Sequence, residues 1–266
     1  MITISALSLS GGQGKTTTIL FLAKALAEAG YTVLAVDADP QGNLSTFLQH
    51  DLVLNQPTLL EVVKGTVPLE EGIYPVKGYE SLFLIPADDG LEGLQDFLST
   101  SGIGALMLKQ RLEQAKNDFD ICLIDPPPQR FQLSRSVIGA SDQIIIPVEL
   151  NVKGFGSLLR TTAAIEEFIN FKICNPQILG ILPFRDRWTG LNRTIECETW
   201  LNHMKGEVDP KLLLPSLRES IKVVRAISSG LSLSAMSEKT EKYPLDEPFK
   251  VLMDRVLSKK EAYANV

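Results

Sequence analysis

Near-continuous apolar runs alternate with amphipathic stretches along this chain. The segments ITISALS, TVLAVDAD, SLFLIPA, DICLIDP and DQIIIPVEL hold hydrophobic residues almost without interruption, the pattern of strands covered on both faces. QILGILPF and KLLLP are further strand candidates. Between them, Lys15 to Ala29 places Ile19, Leu20, Leu22, Ala23 and Leu26 at helical spacing before Gly30 stops the helix. Gly104 to Lys116 and Phe155 to Ile169 follow the same period. Strands alternating with helices predict a doubly wound α/β fold. Its mostly parallel, twisted sheet carries helices on both faces and binds ligand at the carboxyl ends of the strands. No repeat, low-complexity tract or linker divides the 266 residues, so a single domain, 1–266, is expected. The segment Asp51 to Tyr79 is too weakly periodic to assign.

Composition narrows the function classes. With 44% hydrophobic and 22% charged residues, the chain suits an extensive core. A net charge of −6 excludes a polycation, so any nucleic acid must be held by a local patch. Cys122, Cys174 and Cys197 show no paired spacing, which fits a reduced, cytoplasmic protein and argues against an iron–sulfur cluster. The opening MITISALSLS lacks the basic start and long apolar core of a secretion signal. No apolar run approaches the roughly 20 residues that span a bilayer.

Chemistry enters at LSLSGGQGKTTT, Leu7 to Thr18. Gly11, Gly12 and Gly14 allow a tight turn whose N–H groups, Gln13 among them, face an anion at a helix start. Lys15 is placed for the β- and γ-phosphates of a nucleotide, and the Thr16 hydroxyl, followed by Thr17, for Mg²⁺. Asp125 ends the apolar strand DICLID, where a magnesium-side carboxylate belongs. Asp39, in VDADPQGN, suits a metal-side carboxylate that polarises the water attacking the γ-phosphate; a helix cap or turn is its other open role. Asp37, nearer the sheet, is a magnesium or structural partner. The loop is irregular, because Leu9 stands where a glycine is expected five residues before Gly14.

Three segments together resemble the ParA/MinD family of deviant Walker ATPases: Ser10 to Thr18, Val36 to Asn43, and DFDICLIDPPP from Asp118 to Pro128. IIIPVELNVKGFGSL and ILPFRDRWTGLNR are similar to later family segments, so the likeness runs from Met1 to Leu231. The resemblance implies an ATP- and Mg²⁺-dependent ATPase whose two subunits sandwich two nucleotides, with slow hydrolysis releasing the dimer. It also implies that Pro215 and Leu217 line the adenine pocket, with Arg187 nearby. Family members usually begin the loop KGGxGKT, and that first lysine reaches across the dimer. Here the position is Ser10. Removing a cation from a desolvated phosphate site is costly unless another replaces it. Lys153, in VELNVKGFG, is the candidate replacement, expected in a loop at the ligand-bearing sheet edge; Arg130 and Arg135 are its rivals. Within the family, a serine here is similar to the branch that distributes carboxysomes. That likeness implies an ATP-bound dimer on nucleoid DNA, bound without sequence preference, and a small McdB-like adaptor on the cargo that stimulates hydrolysis. A plasmid-partition ATPase and a non-hydrolysing nucleotide scaffold are the alternatives.

Basic residues gather late in the chain. Lys211 precedes Arg218, Lys222 and Arg225, whose offsets of 4 and 3 give one face if SLRESIKVVRA is helical. Such side chains hold phosphates without reading bases; a solvated helix face is the plain alternative. Lys250, Arg255, Lys259 and Lys260 form a second group on the final helix. Phe249, Leu252, Met253, Val256 and Leu257 on that helix fit either packing on the domain or a membrane-surface helix. Its trailing EAYANV is neither apolar nor basic, so membrane attachment is not expected.

Overall fold

The computed structural model describes residues 1–128, 132–236 and 244–264. Its sheet strands are β1 (Ile2–Ala6), β2 (Val33–Asp37), β3 (Tyr74–Pro75), β4 (Leu82–Ile85), β5 (Ile121–Asp125), β6 (Gln143–Glu149) and β7 (Gln177–Asp186). A small hairpin, β8 (Trp188–Thr189) and β9 (Asn192–Arg193), precedes the last sheet strand, β10 (Leu217–Arg218). The order across the sheet is β10-β7-β6-β1-β5-β2-β4-β3. Neighbours are parallel except β3, which pairs antiparallel with β4 at the edge. Helices α1 (Lys15–Glu28), α2 (Asn43–Phe47), α3 (Leu59–Lys64), α4 (Leu94–Thr100), α5 (Gly104–Leu112) and α6 (Gln132–Ala140) fill the first half. Then come α7 (Val152–Asn170), α8 (Ile195–Glu207), α9 (Ile221–Ser229), α10 (Leu233–Met236) and α11 (Glu247–Ala264).

Strand pleating explains why the apolar runs are continuous. Val33 and Ala35 point into one core with Ile121 and Leu123, while Leu34 and Val36 point into the opposite core with Cys122 and Ile124. The first core is covered by α1 and the late helices α9 to α11; the second by α3 to α6. Further along the sheet, Ile144, Ile146 and Val148 of β6 meet Leu158, Ile165 and Leu201 of α7 and α8. Both faces are therefore occupied, as a doubly wound sheet requires.

Several local expectations change. KLLLP forms no strand: Leu212 N–H turns back to the Asp209 carbonyl, and Leu213 makes only an isolated bridge to Ile181. Pro215 has no N–H to offer a ladder, and pairing resumes at Leu217, opposite Phe184. Asp51 to Tyr79 contains α3, closed by a capping box between Thr58 and Glu61, and the two-residue strand β3. Arg218 lies in β10, not on a helix with Lys222 and Arg225, because Ser220 caps the Lys222 N–H and α9 starts only at Ile221.

The apolar face of α11 is already occupied. Phe249, Leu252 and Val256 are buried, and the Phe249 ring meets Phe21 of α1 edge-on at 5.7 Å between centroids. Three of its basic residues are engaged as well: Lys250 pairs with Asp246, Arg255 donates to the Leu179 carbonyl, and Lys260 pairs with Asp120. Among the described residues, no helix is long and apolar enough to cross a membrane. Phe249→Ala should lower the unfolding free energy by about 3 kcal/mol through the cavity it leaves. Urea unfolding measures this, and a change below about 1 kcal/mol would show that α11 is not docked by this ring.

Candidate functional site

Five strand ends converge at the carboxyl edge of the sheet. β1 runs into the loop from Leu7 to Gly14, which opens α1. Gly14 has a φ of 95°, and a Cβ there would lie 2.7 Å from the Phe184 ring. Both the left-handed backbone and the close ring require glycine. Thr18 then bonds the Gly14 carbonyl through its N–H at 2.9 Å and its hydroxyl at 2.7 Å, closing the first helical turn. No side chain caps α1, so its leading N–H groups and the positive end of its dipole are left to an anion. β2 delivers Asp37 and then Asp39, β5 delivers Asp125, β6 leads into α7, and β7 brings Phe184 and Arg185.

The charges here are poorly compensated. Asp125 is fully buried, and neither of its carboxylate oxygens has a hydrogen-bond partner among the described residues. The Thr16 hydroxyl faces it without closing such a bond. Burial, and then the neighbouring Asp37, raise the Asp125 pKa well above the usual carboxylate value. Asp37 sits opposite Asp125 in the sheet. Burial raises its pKa to about 6, opposed by bonds from Ser45. The Ser45 N–H and hydroxyl each donate to Asp37 Oδ2 at 2.8 Å. Asp37 is thus a structural partner that fixes the start of α2. Lys15 is 7% exposed; burial lowers its pKa, and the nearby Asp125 and Asp39 work in the other direction.

Most of the loop residues meet around one cavity of about 440 Å³. Gly11, Gly12, Gln13, Gly14, Lys15, Thr16 and Thr17 line it together with Asp39. Asp125 is buried behind Lys15 and Thr16 and is not part of the lining. Sequence reasoning missed Gln41, Asn43, Phe47, Pro128, Phe184 and Arg185, which complete the wall. Gln41 and Asn43 belong to the VDADPQGN segment, which offered a signal; nothing marked Phe47 or Phe184. Arg187, Pro215 and Leu217 lie outside this lining. Leu217 is buried in the core beside Phe184, and Arg187 pairs with Glu196 at 3.0 Å. A larger cavity, about 920 Å³, opens at the other end of α1 beside Glu28, Tyr79 and Gly230. It faces the negative end of that helix, the wrong polarity for phosphate.

With this geometry in place, likeness to known proteins decides the family. A family model described as an AAA domain matches residues 1–174. The chain is 44% identical over 256 residues to maintenance of carboxysome distribution protein A of Synechococcus elongatus, covering 96% of this chain and 99% of that one. A solved ATP complex of a Cyanothece McdA variant, with one aspartate replaced by alanine, superimposes with a TM-score of 0.90. It is 41% identical and covers 96% of each chain. The chromosome partitioning protein ParA of Caulobacter vibrioides is 32% identical over 191 residues, 70% of each chain. The chain belongs to the ParA/MinD family of P-loop ATPases, in its carboxysome-distribution branch. The Ser10 loop and the Asp125 strand lie together at the carboxyl edge of that fold's sheet.

The cations weighed against the missing lysine separate in space. Lys153 is not in a loop but in the first turn of α7, whose N-cap, Asn151, accepts from the Gly154 N–H at 2.8 Å. From there Lys153 Nζ donates to the Gly11 carbonyl at 3.1 Å. Arg135 instead lies over the Phe168 ring, 5.2 Å from its centroid, and Arg130 falls outside the described residues. Gln13 is buried, and its Oε1 accepts from the Glu149 N–H at 3.0 Å at the end of β6.

Stability should show the electrostatic cost of this site. Asp125 and Asp37 have raised native pKa values, so their contribution is fully present below the unfolded value of 3.8 and is lost as pH rises through about 6 and beyond. Asp125→Asn should therefore stabilise the nucleotide-free protein by about 2 kcal/mol at pH 7.5. That advantage should fade as pH approaches 4. Thermal melts across that range test it; a variant less stable than the parent at pH 7.5 would show that Asp125 is satisfied.

Proposed function

We propose that the chain is a single ATPase domain, residues 1–266, that hydrolyses ATP with Mg²⁺ and cycles between monomer and nucleotide-sandwich homodimer. The ATP-bound dimer binds nucleoid DNA without sequence preference. A small adaptor on the carboxysome stimulates hydrolysis and release, and the moving boundary positions the cargo. The observation that carries this reading is the contact between Lys153 Nζ and the Gly11 carbonyl at 3.1 Å. It puts a second cation beside a loop that has Lys15 but serine in place of the family's first lysine, as a working phosphate site requires. Likeness to carboxysome-distribution proteins over almost the whole chain supports the cargo assignment.

Each residue then has a role. Backbone N–H groups from Gly11 to Thr17 cradle the phosphates, and Lys15 neutralises them from within the cavity. The residues present fit a magnesium ion, because Asp125 is an orphaned, buried carboxylate with the Thr16 hydroxyl facing it. Thr16 would hold the ion, with Asp125 and Asp39 on its outer side; the ion supplies charge neutralisation on the β- and γ-phosphates. Among the described residues, no group of three or more His, Cys, Asp or Glu could hold a metal alone. Phosphate oxygens and water would supply its remaining ligands, in keeping with magnesium's habits. Asp39 is 8% exposed at the cavity wall, and its Oδ1 accepts from the Gln41 N–H at 3.1 Å. That bond leaves the carboxylate oriented to hold a water on the γ-phosphate side. Arg187, Pro215 and Leu217 would then contribute at the base end of the site, with Arg187 needing to leave Glu196.

The DNA surface is the exposed side around α9. Lys211 and Arg225 are exposed and Lys222 is half-buried, while Arg218 stacks on Trp188 at 4.4 Å. Phosphate contacts from such a group give affinity that falls with salt.

Two variants test the cycle. Asp39→Ala should retain ATP and form a persistent ATP-dependent dimer, with phosphate release at least about a hundredfold slower, since a water-orienting group contributes roughly that much. The Cyanothece complex with ATP is of an aspartate-to-alanine variant, so in that relative one such change is compatible with bound ATP. Full phosphate release by Asp39→Ala would remove the residue from this role. Lys153→Ala should abolish ATP-dependent dimers in light scattering, and unchanged dimerisation would discard Lys153 as the substitute cation.

A further inference from the structure

Ser10 is 9% exposed and is not a bare truncation of a lysine. Its hydroxyl accepts a hydrogen bond from Arg160 Nη2 at 3.2 Å. That bond is one of four by which α7 grips the entrance of the loop, one residue after another. Ser8 Oγ shares a 2.9 Å bond with Ser157 Oγ. Leu9 N–H donates to Thr161 Oγ1 at 3.2 Å. Ser10 then meets Arg160, and Gly11 accepts from Lys153 at 3.1 Å. Positions 153, 157, 160 and 161 follow the helical repeat, so one face of α7 meets one stretch of loop. The two residues that make this loop irregular, Leu9 and Ser10, are both among those held.

Gly156 has a part in this grip. A Cβ there would lie 3.3 Å from Arg160 Nη1, so the guanidinium folds back along the helix over a residue without a side chain. A glycine inside a helix costs stability; here it clears the path from Arg160 to Ser10.

We propose that Arg160 is a positioning residue for the nucleotide loop, matched to Ser10, and that the pair excludes the lysine usual at this position. Arg160 acts through the Ser10 hydroxyl, holding the outer rim so that the Gly11 and Gly12 N–H groups face the phosphates. A lysine at position 10 would remove the hydroxyl that Arg160 bonds and set a second cation beside the exposed guanidinium, and like charges so placed repel. The loop therefore accepts either its own lysine or Arg160, and not both. This rests on the reading that the loop binds ATP.

A double-mutant cycle tests the pairing. The parent, Arg160→Ala, Ser10→Lys and the double variant are titrated with a fluorescent ATP analogue and Mg²⁺. Arg160→Ala should weaken binding by about tenfold, the effect of losing a charge-assisted hydrogen bond. Ser10→Lys should weaken it at least as much. The double variant should return to within about threefold of the parent, because the guanidinium beside position 10 is gone, Lys153 stays on Gly11, and a lysine occupies its customary place. Recovery also shows that both substitutions fold. If Arg160 merely braced α7, the double variant would bind no better than Ser10→Lys alone, and that result overturns the proposal. Parent-like binding by Ser10→Lys overturns it too. A parent chain that fails to bind the analogue would instead sink the ATP reading.

Discussion

Desolvation of Asp125 constrains everything placed around it. The carboxylate stands at the end of a central strand, beside the carboxylate of Asp37 and without a hydrogen bond among the described residues. A buried anion in that state opposes folding. The surrounding core, with both faces of the sheet covered, must therefore be large enough to carry the deficit. Lys15 is buried in the same place and shifted in the opposite sense, so the lysine and the carboxylate both lack full compensation. A ligand that brings a cation to Asp125 and an anion to Lys15 relieves both at once. Magnesium-bound triphosphate has that charge pattern, and its binding free energy would include the cost already present in the folded protein.

Helix α1 connects this site to the last third of the chain. Its first turn opens on the cavity, while Phe21 packs on Phe249 of α11. Lys24 is fully buried, donates to the Gly230 and Leu231 carbonyls at 2.9 and 3.3 Å, and has its pKa lowered to about 8 by burial. Those carbonyls follow α9, the helix that carries Lys222 and Arg225. Helix α1 thus joins the edge that carries the glycine loop to the segment following α9 through a buried ammonium. In the sequence Lys24 is only another charged residue in an amphipathic run, because its partners lie some 200 positions away.

What could be read from sequence was local. The continuous strands, the glycine turn and the acidic strand ends are each contained within a dozen residues, and all appear at the same sheet edge. The irregularity of Leu9 and Ser10 was equally visible, and its consequence, a demand for another cation, followed from charge alone. Its full answer was hidden, since α7 lies about 140 residues downstream and only tertiary packing sets Ser157, Arg160 and Thr161 against the loop. The misjudged stretches share another cause. KLLLP has the apolar density of a strand, yet the Asp209 turn and Pro215 deny it a ladder. Arg218 has helical spacing to Lys222, yet the Ser220 cap starts the helix beyond it. Side-chain and proline effects on the backbone override periodicity at such short range.

A cation carried by α7 in place of the loop, as proposed for Lys153, would alter how the site is organised. A lysine within the loop moves with the loop. Lys153 is instead fixed to the β6–α7 corner by the Asn151 cap, and that corner is tied to the loop by Gln13, whose Oε1 accepts from the Glu149 N–H. The loop holds the corner and the corner holds the loop. Such reciprocal bonding leaves little of the cradle to be ordered when phosphate arrives, and ordering costs subtract directly from affinity. It also makes the geometry of the cation depend on β6, a central strand with Ile144, Ile145 and Ile146 fully buried. Lys153 itself is exposed, and what fixes its place is the turn that carries it, tied through Glu149 and Gln13 to the end of that buried strand.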